Sequence, residues 1–270
     1  MTDLVGELTV TRVQQLTPRM RRVSFTAPAD FQPWPDQQLK LLFPPGGELV
    51  LPPSDGDDMR WYQAFLAIPA ERRPVMRGFT VRRHDPARGE IDIDFVLHGA
   101  AGPAVRWART AAPGQVLGRY GPSEYYRRPL SPGDWHLLAG DETAVPAIGS
   151  LLESLPASAR ALVFVSVAGA AERRPLPSPA TVDIRWLHDD SLPDAVRAAR
   201  FPGGAVSAWL AGEASVVRAL RRHLVAERAV PKGSIEFTGY WRAKLTQDDA
   251  PTDEDMADAQ EKLAQARGES

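Results

Sequence analysis

The stretch Arg77-Gly78-Phe79-Thr80-Val81-Arg82-Arg83, followed closely by Ile91 to Gly99, decides how this chain is read. In the second segment Ile91, Ile93, Phe95 and Leu97 alternate with Asp92, Asp94 and Val96. That is the period of a half-buried strand, and it ends at His98-Gly99. The first segment reads as a strand carrying a cation, an aromatic ring and a hydroxyl within four residues. An arginine can grip a diphosphate, an aromatic can stack on a flat ring, and a threonine can hydrogen-bond a ring nitrogen. A strand holds the three at fixed spacing, because successive side chains leave opposite faces. Two readings stay open on this evidence: a flavin dinucleotide site, and an ordinary exposed strand with a basic edge.

Composition narrows the field. A chain of 270 residues is long enough for one large or two medium domains. An apolar fraction of 43% with seven tryptophans supplies a packed core. No run reaches the ~18 apolar residues of a membrane span, and Met1-Thr2-Asp3 lacks the layout of a signal peptide. The lack of cysteine excludes disulfides, thiolate catalysis and cysteine-held metal, and it fits a cytoplasmic address. A formal charge of −2 offers nucleic acid no general attraction. The charge is unevenly spread, however. Six arginines fall between Arg72 and Arg88, around the motif strand, and the tail from Gln247 to Glu261 is acidic. An arginine-rich stretch is most often a solvated face; here it holds the proposed phosphate-binding strand, which favours an anion site.

The first half reads as short strands punctuated by proline and glycine: Arg21–Thr26, Gln38–Phe43, Arg77–Arg83, Glu90–His98 and Gln115–Arg119. This pattern predicts a small antiparallel barrel. Phe43 to Pro69 reads as a long loop, and Gly102 to Ala111 as a short helix with Pro103 in its first turn. From Ser131 onwards apolar strands (Trp135–Ala139, Ala161–Val167, Asp183–Leu187, Val206–Ala211) alternate with helices after Asp141 and over Glu213–Val225. That alternation argues for a parallel sheet with crossover helices. Beyond Lys244, Thr252 and Asp255 suggest a capping box, with Met256, Ala259 and Leu263 at helical spacing. Its apolar stripe is thin, so such a helix is marginal unless docked.

Arg77 to Arg82 resembles the R-x-Y-T-x-R flavin motif of the siderophore-interacting protein family, flavin reductases of the ferredoxin-reductase superfamily. Four further stretches resemble the same family in the same order: Asp94 to Gly99; Gly102-Pro103-Ala104 with Trp107-Ala108; Gly140 to Ala144 with Pro146-Ala147-Ile148; and Gly239-Tyr240-Trp241-Arg242. The resemblance spans roughly residues 5 to 243. It implies a six-stranded antiparallel FAD-binding β-barrel over residues 1–130, a parallel-sheet α/β domain for NAD(P)H over 131–243, and an acidic helical appendage over 244–270.

The resemblance also assigns roles. Arg77 would grip the flavin diphosphate, Phe79 would stack on the flavin, and Thr80 would bond near the reactive nitrogen. The family usually has tyrosine where Phe79 stands, so one hydroxyl is missing, at a cost on the order of 1 kcal/mol. Val96, His98 and Gly99 would lie beside adenine and diphosphate, and Gly102 and Ala104 would offer backbone N–H groups to a phosphate. Trp107 is read equally as an adenine platform and as a core tryptophan. Asp141, Thr143 and Ala144 occupy the strand-to-helix turn where the nicotinamide nucleotide docks, with Gly212 and Glu213 in the matching turn of a later strand. For Asp141, ordinary helix capping weighs as much as a cofactor role. Ser166, with Arg173 and Arg174 downstream, leans towards NADPH over NADH. Tyr240 and Trp241 would flank the flavin, so Thr80, Thr143 and Trp241 would tune it rather than react. Lys40, Arg83, Arg127, Arg242 and Lys244 are the candidate basic pocket for an anionic ferric siderophore, with Tyr120, Tyr125, Tyr126 and Arg128 nearby.

The function implied is NAD(P)H-dependent reduction of a ferric siderophore through non-covalently bound FAD by a cytoplasmic monomer, with ferredoxin a possible donor. No metal site, nucleic-acid role or membrane span is expected. Two alternatives stay open. One is a general flavin or quinone reductase of the same fold. The other is a protein that binds a ferric siderophore without turnover.

Overall fold

The longest strand of the protein is absent from the sequence reading. β1 (Val5–Thr17) changes partners along its length. Val5–Thr9 pair with β7 (Val116–Tyr120), and Val10–Thr17 pair with β2 (Met20–Thr26). The register shifts between Val10 and Arg12, where the strand turns from one neighbour to the other. The computed structural model describes residues 4–28, 31–46, 48–53, 57–98, 102–121, 130–243, 245 and 250–267.

The chain forms two compact units. The first takes Met1–Arg127 together with Val145–Leu155 and Ala168–Pro179. Beside β1, β2 and β7 it contains β3 (Gln38–Phe43), β4 (Val75–Thr80), β5 (Arg83–Asp85) and β6 (Glu90–Val96). The antiparallel sheet runs β4-β3-β7-β1-β2-β6-β5, seven strands where six were expected. The difference is one of division. β4 and β5 stand at opposite ends of the order yet are joined by Val81-Arg82. Val81 N–H donates to Gln37 O at 2.8 Å, and Arg82 N–H donates to Asp92 O at 2.9 Å. One bent stave therefore closes the barrel, and six staves remain.

The barrel interior is filled by Leu8, Val23, Phe25, Leu41, Phe43, Ile91, Ile93, Phe95 and Leu117. β6 is buried on both faces rather than one. Its outward Asp94 is covered by Arg22 (2.7 Å to Nε) and Arg174 (3.0 Å), and Asp92 accepts the Ser24 hydroxyl at 2.6 Å. Between Phe43 and Pro69 the expected loop contains a helix, α1 (Asp58–Leu66). Asp57 caps it by accepting Arg60 N–H, and Trp61 and Phe65 bury themselves against Leu42. α2 (Pro103–Thr110) lies where the sequence placed it, and α3 (Val145–Ser154) packs within this unit.

The second unit is a five-stranded parallel sheet in the order β10-β9-β8-β11-β12. Its strands are β8 (Trp135–Asp141), β9 (Arg160–Ser166), β10 (Thr181–Leu187), β11 (Val206–Glu213) and β12 (Ile235–Trp241). The chain winds outwards from β8 through β9 to β10, then returns to lay β11 on the other side of β8. The switch point therefore falls between β8 and β11, and ligand crevices of open α/β sheets form at that place. α4 (Leu192–Ala198) and α5 (Ala214–Ala226) pack Val196, Val217, Leu220 and Leu224 onto the core. α6 (Asp253–Arg267) follows, opened by the expected capping box. Asp255 N–H donates to Thr252 Oγ1 at 3.2 Å, and Thr252 N–H donates to Asp255 Oδ2 at 2.9 Å. Among the described residues no helix is long and apolar enough to cross a membrane.

Candidate functional site

In the first unit the motif strand β4 pairs with β3, setting Gly78 opposite Lys40 and Thr80 opposite Gln38. The pleat sends Arg77 and Phe79 to one face and Thr80 to the other. Phe79 is half-buried, its ring 4.6 Å from Phe95 and 6.1 Å from Phe43. Arg77 is also half-buried and donates from Nη1 to Met76 O at 2.9 Å. Thr80 is buried, but its hydroxyl has no partner among the described residues. A Cβ added at Gly78 would meet nothing within 4 Å, so the strand is open at that point.

Two features nearby suit an anion. The α2 cap residue Gly102 offers no side-chain cap, and no acid stands in the first turn of the helix. Its N–H groups and dipole are left for a ligand. Lys40 lies 6.0 Å from the centre of the Tyr120 ring and has no carboxylate partner among the described residues. Burial pushes its ammonium below the ordinary lysine value. The residues described thus fit FAD: an open strand, a hydroxyl and a lysine without partners among the described residues, and a helix start with no side-chain cap.

Several other residues are now placed. Val96 ends β6, and the exposed His98 follows it. Burial, then the charges of Arg19 and Arg109, hold His98 below the usual histidine value. Trp107 packs on Phe43 (5.7 Å), Phe95 (5.6 Å) and Phe25 (6.0 Å), which seats it in the barrel's aromatic cluster beside Ala104. Arg83 is exposed. Tyr120 stacks on Trp61 at 4.8 Å. Gly99, Tyr125, Tyr126, Arg127, Arg128 and Lys244 lie outside the described residues.

In the second unit one carboxylate gathers the strand ends at the switch point. Asp141 Oδ1 accepts Thr143 N–H (2.8 Å) and the Thr143 hydroxyl (2.5 Å). Its Oδ2 accepts Glu213 N–H and the Trp241 indole N–H, both at 2.8 Å. β8, β11 and β12 are thereby tied together at their carboxyl ends. Gly140 makes this possible, since an added Cβ would sit 2.4 Å from Ala144 Cβ and 2.5 Å from Ala211 O. At Gly212, φ +134°, an added Cβ would likewise sit 2.5 Å from Asp141 Oδ2. Asp141 is thus a capping group and a three-strand tie at once.

Glu213 caps α5 by accepting Val216 N–H at 3.0 Å and also takes Ala243 N–H at 3.2 Å. Burial alone would raise its carboxyl, but hydrogen bonds from the Ser215 hydroxyl and these N–H groups outweigh that and hold it low. Trp241 is 41% exposed, so its indole presents a face while its N–H is held. Tyr240 meets Trp209 edge-on at 6.5 Å. Ser166 ends β9 in register with Asp141.

Two of the arginines read from the sequence have carboxylate partners in the structure. Arg174, read as support for NADPH, is spent on the buried Asp94; Arg173 is left as the exposed residue that follows the turn Ala170–Glu172. Arg242, read as a siderophore contact, donates to Asp255 at 2.9 Å and to Ala250 O at 3.2 Å. Sequence reasoning also missed Arg218, which pairs with three carboxylates of α6. The signal was present in the acidic spacing of Glu254, Asp255 and Asp258.

A closed antiparallel barrel followed by a parallel sheet with its switch point between β8 and β11 defines the ferredoxin-reductase-like FAD and nicotinamide fold. The FAD/NAD-binding domain of a nitric oxide dioxygenase from Vibrio cholerae shares it, with a TM-score of 0.58 at 16% identity over 86% of this chain and 97% of that one. The chain belongs to the siderophore-interacting protein family. Residues 133–244 match the family described as Siderophore-interacting protein, and residues 9–126 match the Siderophore-interacting FAD-binding domain. The ferric vibriobactin reductase ViuB of Vibrio cholerae is 35% identical over 246 residues, covering 86% of this chain and 87% of the relative. A siderophore utilization protein from T. fusca superposes with a TM-score of 0.75 at 32% identity, over 92% and 97% of the two chains. FAD is accordingly the cofactor of the first unit.

Proposed function

We propose that this protein is an NAD(P)H-dependent ferric-siderophore reductase. The observation that carries the reading is the motif strand. Among the described residues its Thr80 hydroxyl has no hydrogen-bond partner, and the neighbouring Lys40 has no carboxylate partner. Thr80 and Phe79 orient the flavin ring, while Arg77 and the α2 N-terminus at Gly102 take the diphosphate. When bound, FAD supplies the conversion between a two-electron nicotinamide donor and one-electron reduction of Fe(III). Asp141 fixes Thr143 and Trp241 on the nicotinamide side, so the chain needs no acid–base side chain of its own. Lys40 and Arg83 attract the anionic siderophore. Reduction weakens the hold of hard oxygen ligands on iron, and Fe(II) leaves.

On this reading residues 1–130 carry the flavin, 131–243 the coenzyme, and 244–270 are an appendage. NADPH is the favoured donor through Ser166 and Arg173, with ferredoxin as the alternative. The protein acts in the cytoplasm as a monomer.

The test is anaerobic mixing of flavin-loaded protein with NADPH or NADH, then with a ferric siderophore, while flavin absorbance is followed. Bleaching by one coenzyme, recovery on adding siderophore and Fe(II) trapped by a chelator are expected. Recovery with free flavin or quinone but not with ferric siderophore would make it a general reductase. A flavin that no coenzyme or ferredoxin bleaches would leave a binding protein.

A further inference from the structure

The tail helix α6 is docked, and charge does the docking. Arg218 on α5 takes three of its carboxylates: Glu254 at 3.0 Å, Asp255 at 2.6 Å and Asp258 at 2.9 Å. Arg221, one turn further on, pairs with Glu261 and lies 4.5 Å from the centre of the Phe237 ring. Lys232 stands 3.8 Å from Glu261, and Arg242 donates to Asp255. The four acids fall at i, i+1, i+4 and i+7, which is one face of a helix.

Apolar burial adds little. Met256 and Leu263 are 52% and 42% exposed, and Ala259 is exposed with them. A permanent structural helix would turn these residues inwards. Partly exposed ion pairs contribute roughly 0–1 kcal/mol each, and a 15-residue helix is marginal alone. The helix is therefore held by contacts that a competing acidic surface could replace one for one.

We propose that Arg218, Arg221, Lys232 and Arg242 form a docking surface for an acidic helical segment of a partner protein, which α6 fills in cis as a built-in competitor. The seated helix itself shows the chemistry that fits: four carboxylates along one face against four cations. The surface also adjoins the coenzyme end of the sheet. Arg242 follows Trp241 directly, and the neighbouring Ala243 N–H donates to Glu213. A partner bound there would sit beside the residues that Asp141 ties together.

The test uses a fluorescent peptide of residues 252–267 and two full-length proteins. One is wild type; the other carries Glu254→Gln, Asp258→Asn and Glu261→Gln, with Asp255 kept for the capping box. The charge-neutralised protein is expected to bind the peptide at least about tenfold more tightly than wild type, with affinity that falls as salt screens the pairs. Adding Arg218→Gln should abolish binding, as should replacing the peptide's carboxylates with amides. No binding to the neutralised protein, or equal binding to both proteins, overturns the proposal. A second measurement needs no variant: amide exchange of α6 in wild type at low and high salt. Protection should vanish at high salt while α5 keeps its own; an α6 protected at both is a fixed staple, and the proposal fails.

Discussion

At the scale of single residues, the proposed chemistry sets a motif hydroxyl with no partner among the described residues, Thr80, beside a carboxylate that accepts four hydrogen bonds, Asp141. Thr80→Val keeps the β-branched shape and removes the hydroxyl, at a cost of about 1 kcal/mol of flavin binding. FAD titrations should report a dissociation constant about fivefold weaker, with the melting temperature of the flavin-free protein nearly unchanged. Glu213 belongs with the satisfied groups. Its carboxyl lies below the ordinary 4.5. Its contribution to stability is therefore complete above that value and drains away as pH falls through the lower, folded value. Urea midpoints between pH 3 and 6 should fall towards acid in wild type, and Glu213→Gln should flatten that slope. The sequence made Thr80 and Asp141 visible because both sit in short motifs. It could not reveal that Asp141 ties three strands, because Glu213 and Trp241 meet it only after the sheet assembles. The pairing of Arg174 was hidden for the same reason. Its partner Asp94 lies 80 residues away, and nothing local marks an arginine as already spent.

At the scale of elements, pattern succeeded where apolar residues marked a strand clearly and failed where polar residues or prolines broke the signal. β2, β3, β7 and the core strands of the parallel sheet were legible from their apolar residues. β1 was not, because it serves two neighbours and its exposed half carries Arg12, Gln14 and Gln15. α1 hid inside a proline-flanked stretch, although Trp61 and Phe65 at i, i+4 were its signature. β12 carried a motif and was read for that alone. The turn that follows β8 is a tight local fit in the second unit. Gly140→Ala would drive a methyl onto Ala144 and the Ala211 carbonyl, and neither is the far end of a flexible side chain. Overpacking of this kind costs about 1–3 kcal/mol. Denaturation followed by far-ultraviolet circular dichroism should show a correspondingly lower midpoint for Gly140→Ala, without a changed slope.

At the scale of the whole molecule, a net charge of −2 conceals a chain of strong local imbalances. In the first half Arg22 and Arg88 cover the buried acids Asp94 and Glu90, and the acidic tail answers the arginines of α5. The closing stave of the barrel has a further consequence. The motif residues proposed to hold the flavin ring lie on the segment joining the first and last positions of the sheet. A ligand gripping Arg77 to Thr80 therefore acts as a latch on the seam, and the empty barrel is the form that can come unfastened. At a hundredfold excess over its dissociation constant FAD should add about 2.7 kcal/mol, read as a later thermal transition. A cell short of flavin would then lose this protein to its proteases before it lost the activity of the molecules still fastened.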